Sequence, residues 1–207
     1  MAAGCAPAGD GAATEVGDRA GTPAAATESL EPSPSESTAA PEVRPGIEVL
    51  LTDSLHLVRG RRVGLVTNHT GVAWRGWDAD GAPGGEPPSG VSTIDLLARA
   101  PGVELAALFG PEHGIRGDAA EGVAVESGTD PGTGVPIHSL YGPTRRPSPE
   151  VLRGLDVLVF DMQDVGARYY TYVSTMAYAM EAAGEEGLPF IVLDRPNPVR
   201  GDVVQGN

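Results

Sequence analysis

From Ile47 onward the chain alternates short runs that are apolar at nearly every position with stretches in which apolar residues recur at helical spacing. "RVGLVTN" (62–68), "VELAALFGP" (103–111), "DVLVFDMQD" (156–164) and "PFIVLDRPNP" (189–198) are runs of the first kind and are expected to be strands. "STIDLLARA" (92–100) places Ile94, Leu97 and Ala98 on one helical face, with Ser92 as N-cap and Asp95 completing a capping box. "YYTYVSTMAYAMEAAGEEG" (169–187) predicts one long helix that stops at Gly187. Strands that are apolar on both faces, separated by helices, predict an α/β fold: an open, mostly parallel, Rossmann-like sheet with helices on both faces. Two stretches interrupt this order. Residues 74–90 are Gly/Pro-rich and read as a surface excursion, in which Trp74 and Trp77 could meet a ligand, and residues 122–150 read as a long irregular loop of the kind that serves as a lid or binding loop. The chain ends at "GDVVQGN", soon after the fourth strand, so a second, smaller C-terminal domain is expected to be missing from residues 46–207.

In open sheets of this kind, ligands bind beyond the carboxyl ends of the strands. Each predicted strand ends in polar residues: Asn68 and His69; Glu112 and His113; Asp161, Gln163 and Asp164; Asp194, Arg195 and Asn197. The four tips are expected to meet on one edge of the sheet.

Composition separates the first 45 of the 207 residues from the rest. They are Ala, Gly, Pro, Ser, Thr and Glu with almost no aliphatic periodicity, and they are expected to form a disordered tether. The formal charge is −14, and all 14 basic residues are Arg. Such a chain repels nucleic acid and anionic lipid headgroups, so neither is expected as a partner. The one cysteine, Cys5, rules out an internal disulfide. "MAAGC" has the small residues that precede the modified Cys of a bacterial lipoprotein, which would anchor the protein outside the cytoplasm, while the charged and apolar parts of a signal peptide are absent. The alternative is a free thiol in an unstructured N-terminus.

Glu112 lies just past a strand, before His113 and Gly114. A carboxyl partly desolvated there can act as a general acid, and the same residue could equally cap a helix or pair with Arg116. His113 could orient Glu112, shuttle a proton or bind metal. The four histidines lack metal-site spacing, so no metal is expected. Asp161 and Gln163 should face away from Asp164 if the strand runs on, and one aspartate could cap a helix or pair with Arg168. Tyr169 and Tyr170, nearest the strand tip, are the tyrosines expected to touch ligand, the others being core. No Gly-x-Gly-x-x-Gly, Walker loop or Gly-x-Ser-x-Gly elbow is present, so no nucleotide cofactor and no serine-hydrolase chemistry is expected.

"VGLVTNHTGV" (63–72), "STIDLL" (92–97), "LFGPEHGIRGDAAEG" (108–122), "VESGTDPGTGVPIHSLYG" (125–142), "DVLVFDMQDVGARYYTYVSTMAYAMEAA" (156–183) and "PFIVLDRPNPVRG" (189–201) closely resemble the exo-β-N-acetylmuramidases of the NamZ type, formerly a domain of unknown function. The resemblance spans about residues 46–207. It implies a Rossmann-like N-terminal catalytic domain, a smaller C-terminal domain and an active site between them. It further implies release of N-acetylmuramic acid from non-reducing ends of peptidoglycan fragments, in cell-wall turnover and recycling, without a cofactor. Glu112, in the Pro-Glu-His-Gly motif, matches the family's leading catalytic candidate. Glycoside cleavage calls for a second group, for which Glu126, Asp164 and the substrate's own acetamido group stand open. The lactyl carboxylate of muramic acid calls for a cation, for which Arg116 and Arg168 are candidates. Asn68, His69, Asp161, Gln163, Tyr169, Asp194 and Arg195 complete the expected substrate contacts. The alternative is a non-catalytic muropeptide-binding module tethered at the cell surface; a metal-dependent deacetylase is a third reading.

Overall fold

The computed structural model describes residues 43–73, 90–111, 114–117, 128–143, 145–199 and 203. The described residues all belong to one compact unit, Pro41–Asn207. Residues 1–42 of the expected tether, Cys5 among them, and Trp74 and Trp77 lie outside the described residues, whereas Arg44 is described and pairs with Asp53 at 2.9 Å.

In chain order the elements are α1 (Gly46–Thr52), β1 (Arg62–Thr67), β2 (Val72–Ala73), β3 (Val91–Ser92), α2 (Thr93–Arg99), β4 (Glu104–Gly110), β5 (Gly128–Thr129), β6 (Pro136–Ser139), α3 (Pro149–Leu152), β7 (Val157–Asp161), α4 (Tyr172–Glu185) and β8 (Phe190–Val192). Six strands form one sheet in the order β5-β6-β4-β1-β7-β8. All neighbours pair in parallel except β5, which runs antiparallel to β6. The four predicted strands are β1, β4, β7 and β8, and the fold is the expected α/β sheet.

Both faces of the sheet are buried because both sets of alternating side chains are apolar. On one face Val63, Leu65, Val157 and Val159 pack with Ile47 and Leu50 of α1 and Ile94 and Leu97 of α2. On the other, Val66, Phe109, Leu158 and Phe160 pack with Leu152 of α3 and Ala179, Ala182 and Ala183 of α4. The small residues of α4 let it lie close to the strands. A bulge between β1 and β4 moves the pairing from Val63↔Leu105 to Gly64↔Ala107, so Leu105 and Ala107 serve opposite faces despite being two apart. Gly64 leaves room in that row for Leu155, whose Cδ1 would stand 2.5 Å from an added Cβ.

Three local expectations change. The described part of residues 122–150 holds more structure than an irregular loop: it includes β5, β6 and the start of α3, and β6 pairs with β4 through Leu108↔Ile137 and Phe109↔His138. The long helix starts at Tyr172 instead of Tyr169, because Tyr170 N–H closes a turn on Ala167 C=O at 3.0 Å. It ends as expected, with Gly187 at φ +67. In α2, Ser92 caps through Ile94 N–H at 3.2 Å, but Ala98 is exposed and the Asp95 carboxylate takes an arginine.

Candidate active site

The parallel strands run β6-β4-β1-β7-β8, so the chain moves outward from β1 to one side and then returns to start again on the other. That reversal falls between the carboxyl ends of β1 and β7, the place where sheets of this kind hold their ligand crevice. The tips of β4, β1, β7 and β8 share this edge, as their polar endings predict. The register is level across it: Thr67 is paired with Asp161 and Phe160 with Val192.

At the tip of β1, Asn68 is buried at 1% exposure. Its Oδ1 accepts from Thr70 N–H at 2.9 Å and Thr70 Oγ1 at 2.6 Å. Thr70 Oγ1 in turn accepts from Gln163 N–H at 2.9 Å, and Thr67 Oγ1 donates to the Asp161 carbonyl at 2.7 Å, so the two tips are stitched together. Asn68 Nδ2 is buried without a hydrogen-bond partner among the described residues. The chain can turn back over this tip only as glycine, because a Cβ on Gly71 would stand 2.2 Å from Thr67 Oγ1.

Asp161 and Arg195, expected to contact substrate, hold each other. Arg195 Nε donates to Asp161 Oδ1 at 2.6 Å and Nη2 to Oδ2 at 2.9 Å. Thr93 Oγ1 donates to Oδ2 at 2.5 Å, and Arg195 Nη1 reaches the Val72 carbonyl at 2.9 Å. With side-chain exposures of 4% for Arg195 and 0% for Asp161, this fork braces the crevice from beneath. Thr93 is the site residue that sequence reasoning missed: beyond its position after the Ser92 cap, the sequence carries no signal for it.

Arg116 is also committed. Its Nε and Nη2 donate to Asp130 at 2.6 and 2.9 Å, and Nη2 and Nη1 to Asp95 at 3.0 and 3.3 Å. These bonds, Asp130 first, raise the guanidinium pKa further above its ordinary value. The Arg116 bond holds the Asp130 carboxyl down to about 2 against the opposing effect of burial, with Thr133 adding two bonds at 2.7 and 2.9 Å. Arg116 is thus an anchor for the loop after β4, tied to Asp95 and Asp130.

That loop carries the Pro-Glu-His-Gly motif. Glu112 and His113 lie outside the described residues, as does Glu126. Their flanks are fixed: Pro111 and Gly114 are buried, Gly114 N–H returns to Pro111 C=O at 3.2 Å, and Ile115 packs under Gly110. Gly117, at φ +81, lies against His69, whose Cβ would be 2.9 Å from an added Cβ. The loops after β4 and β1 therefore touch. On β6, burial lowers the His138 pKa, and its ring lies 5.4 Å from that of Phe109.

Beyond β7, Gln163 Nε2 donates to the carbonyls of Asp164 and Pro196 at 2.8 and 2.9 Å. Asp164 Oδ1 accepts from Gly166 N–H at 2.7 Å, and Gly166, at φ +73, packs on Asn197. Arg168 is exposed and makes no ion pair or hydrogen bond among the described residues. Tyr169 is 84% exposed and leads an edge-to-face series through Tyr170 to Tyr172. Asp194 is exposed, with its carbonyl accepting from Gly46 N–H at 2.7 Å. A cavity of about 350 Å³ opens between the tips of β7 and β8 and the first turns of α4, floored by Phe160, Met162, Tyr172 and Met176. Among the described residues, no group of three His, Cys, Asp or Glu side chains could hold a metal ion. Among the described residues the edge thus offers a buried Arg195–Asp161 fork, an arginine without a carboxylate partner, exposed aromatic surface and a cavity.

Residues 63–207 match the family model described as exo-beta-N-acetylmuramidase NamZ, N-terminal. The chain is 48% identical over 186 residues to the peptidoglycan beta-N-acetylmuramidase NamZ of Bacillus subtilis (strain 168), a match covering 90% of this chain and 41% of that protein. Among solved structures, it resembles a DUF1343 family protein of Bacteroides fragilis NCTC 9343, with a TM-score of 0.66 and 49% identity over 79% of this chain and 37% of the other. A second DUF1343 family protein from that organism matches with a TM-score of 0.57 and 31% identity, over 76% of this chain and 36% of the other. The chain therefore spans about two fifths of the length of these relatives.

Proposed function

The chain belongs to the family of the N-terminal domain of the NamZ exo-beta-N-acetylmuramidases, and from that premise we propose that its sheet edge cleaves the β-glycosidic bond of N-acetylmuramic acid at the non-reducing end of peptidoglycan fragments. The observation that supports this reading is the contact of the loops after β4 and β1 at Gly117 and His69, because Gly117 lies in the loop that continues from the Pro-Glu-His-Gly motif. Glu112 protonates the leaving glycosidic oxygen as the bond from the anomeric carbon to that oxygen breaks, and water supplies the new hydroxyl in the overall reaction. Arg168 faces the lactyl carboxylate, being the arginine at this edge that carries no carboxylate partner among the described residues. The cell-wall role is turnover and recycling of peptidoglycan. The protein acts outside the cytoplasm, anchored by a lipid on Cys5; "MAAGC" and the polar stretch after it support this, and mass spectrometry of the Cys5 peptide from membranes tests it.

The activity itself is tested with a chromogenic N-acetylmuramic acid β-glycoside and its N-acetylglucosamine counterpart, given to the complete natural polypeptide. Turnover of the muramic compound alone is expected. Binding of muramic acid without turnover of either compound would replace the enzyme with a muropeptide-binding module.

A further inference from the structure

The first turn of α2 reaches the endings of β1, β4, β7 and β8. Thr93 N–H donates to the Gly71 carbonyl at 2.8 Å, which holds the loop after β1. Its Oγ1 donates to Asp161 Oδ2 at the tip of β7, and Arg195, from beyond β8, forks onto the same carboxylate. Two residues on, Asp95 accepts from Nη2 and Nη1 of Arg116 at 3.0 and 3.3 Å. Arg116 belongs to the loop after β4 and follows Glu112 by four positions. Residues 93 and 95 thus bridge that loop to the wall formed by β1, β7 and β8.

Anchoring Arg116 needs one carboxylate, and Asp130 supplies it. Asp130 is fully buried, takes Nε and Nη2 at 2.6 and 2.9 Å, and is itself fixed by Thr133 N–H and Oγ1. Asp95 is a second carboxylate on the same guanidinium, with 25% of its side chain exposed, and it shares Nη2 with Asp130. Two carboxylates on one cation leave a net negative charge and repel each other. The second therefore adds less stability than the first, and what it adds is direction. Asp130 ties the loop to the turn between β5 and β6, whereas Asp95 ties it to the helix that also holds Asp161. Gly132 leaves the space for this arrangement, since a Cβ on it would stand 2.9 Å from Arg116 Nη2.

We propose that Asp95 is a positioning residue for the cleavage reaction: through Arg116 it sets the loop after β4, and with it Glu112, against the β7 and β8 side of the edge. This rests on the muramidase reading above. Asp95 touches no reacting atom in this role. It acts on kcat through the placement of the acid, since a displacement of about 1 Å at a reacting group costs about a hundredfold in rate.

The test uses the complete natural polypeptide carrying Asp95→Ala, Asp95→Glu, or Asp95→Ala together with Glu112→Gln, each at equal folded concentration on the chromogenic muramic glycoside. Alanine is the best helix former, so α2 itself is not weakened. Asp95→Ala should lower kcat about tenfold or more while KM stays within about twofold, and Asp95→Glu, which keeps the carboxylate, should recover most of the loss. A merely structural role would lower the folded fraction and leave kcat per folded molecule alone. In the Glu112→Gln background the same alanine should change kcat by less than about twofold, because the group it aims is already gone. Amide exchange of residues 114–117, followed by mass spectrometry, should speed up about fivefold or more in Asp95→Ala. An unchanged kcat, a rise in KM alone, or an equal loss in both backgrounds overturns the assignment. A wild type without turnover would overturn the muramidase reading instead. Exchange at 114–117 then decides the joint by itself: faster in Asp95→Ala if Asp95 holds the loop, equal to wild type if it does not.

Discussion

Arg195 and Asp161, 34 residues apart in sequence, face each other across the tips of β8 and β7, with bonds of 2.6 and 2.9 Å. Both side chains are buried, so removing one strands the other's charge. Arg195→Ala should cost about 3–5 kcal/mol of unfolding free energy. Arg195→Lys should recover only part of that, because an ammonium cannot make the fork. Urea unfolding checks both, and an Arg195→Ala protein within about 1 kcal/mol of wild type would show that the pair does not brace the crevice.

The Arg116–Asp130 pair gives the protein an acid-sensitive joint. Asp130 titrates at about 2 when folded and near 3.9 when unfolded. A depressed carboxyl stabilises fully above its unfolded value, and that contribution is lost as pH falls from about 4 towards 2. The loss is about 2 kcal/mol. His138, lowered by burial, also weakens the fold on acidification, but from about 6.5 downward. Asp130→Asn should therefore flatten the urea midpoint between pH 4 and pH 2 and leave the slope above pH 5 unchanged.

Gly117 and Gly134 separate backbone strain from contact. Both have positive φ, +81 and +75, but a Cβ on Gly117 meets His69 while one on Gly134 meets nothing within 4 Å. Either Gly→Ala change should cost about 1 kcal/mol or more for its conformation. Only Gly117→Ala should also lower kcat/KM on the muramic glycoside, by displacing the loop that carries Glu112. Equal turnover in the two variants would remove the β1–β4 loop contact from the account.

Arg168→Ala tests recognition without touching the fold. The side chain is exposed and makes no ion pair among the described residues, so stability should stay within about 0.5 kcal/mol. A lost charge-assisted bond of about 1.5–3 kcal/mol predicts a KM for the muramic glycoside raised tenfold or more. An unchanged KM would assign the lactyl carboxylate to another cation.

The central strands were legible because β1, β4 and β7 are apolar on both faces, and parallel order then put their polar endings on one edge. β6 was hidden for the opposite reason: Pro136–Ser139 opens with proline, and none of its residues is fully buried, so it carries no apolar run. The start of α4 was misplaced because Tyr169 and Tyr170 continue an aromatic pattern that ends, in three dimensions, as a turn. Among the site residues, sequence identified which chemistry stands at each tip but not who pairs with whom. Arg116 finds Asp95 and Asp130, and Arg195 finds Asp161, through separations of 14 to 34 residues. An arginine committed to a carboxylate and one without such a partner look alike in sequence, and only the fold distinguishes Arg116 and Arg195 from Arg168, which has no carboxylate partner among the described residues.

The most direct measurement is release of N-acetylmuramic acid from its chromogenic β-glycoside by the complete polypeptide, wild type beside Glu112→Gln, at equal folded concentration. The amide keeps the size of the side chain and removes its proton. A fall in kcat of about a hundredfold or more, with the unfolding midpoint unchanged, is the predicted result. Turnover by Glu112→Gln within a few-fold of wild type would contradict the assignment of Glu112 as the acid and, with it, the mechanism placed on this edge.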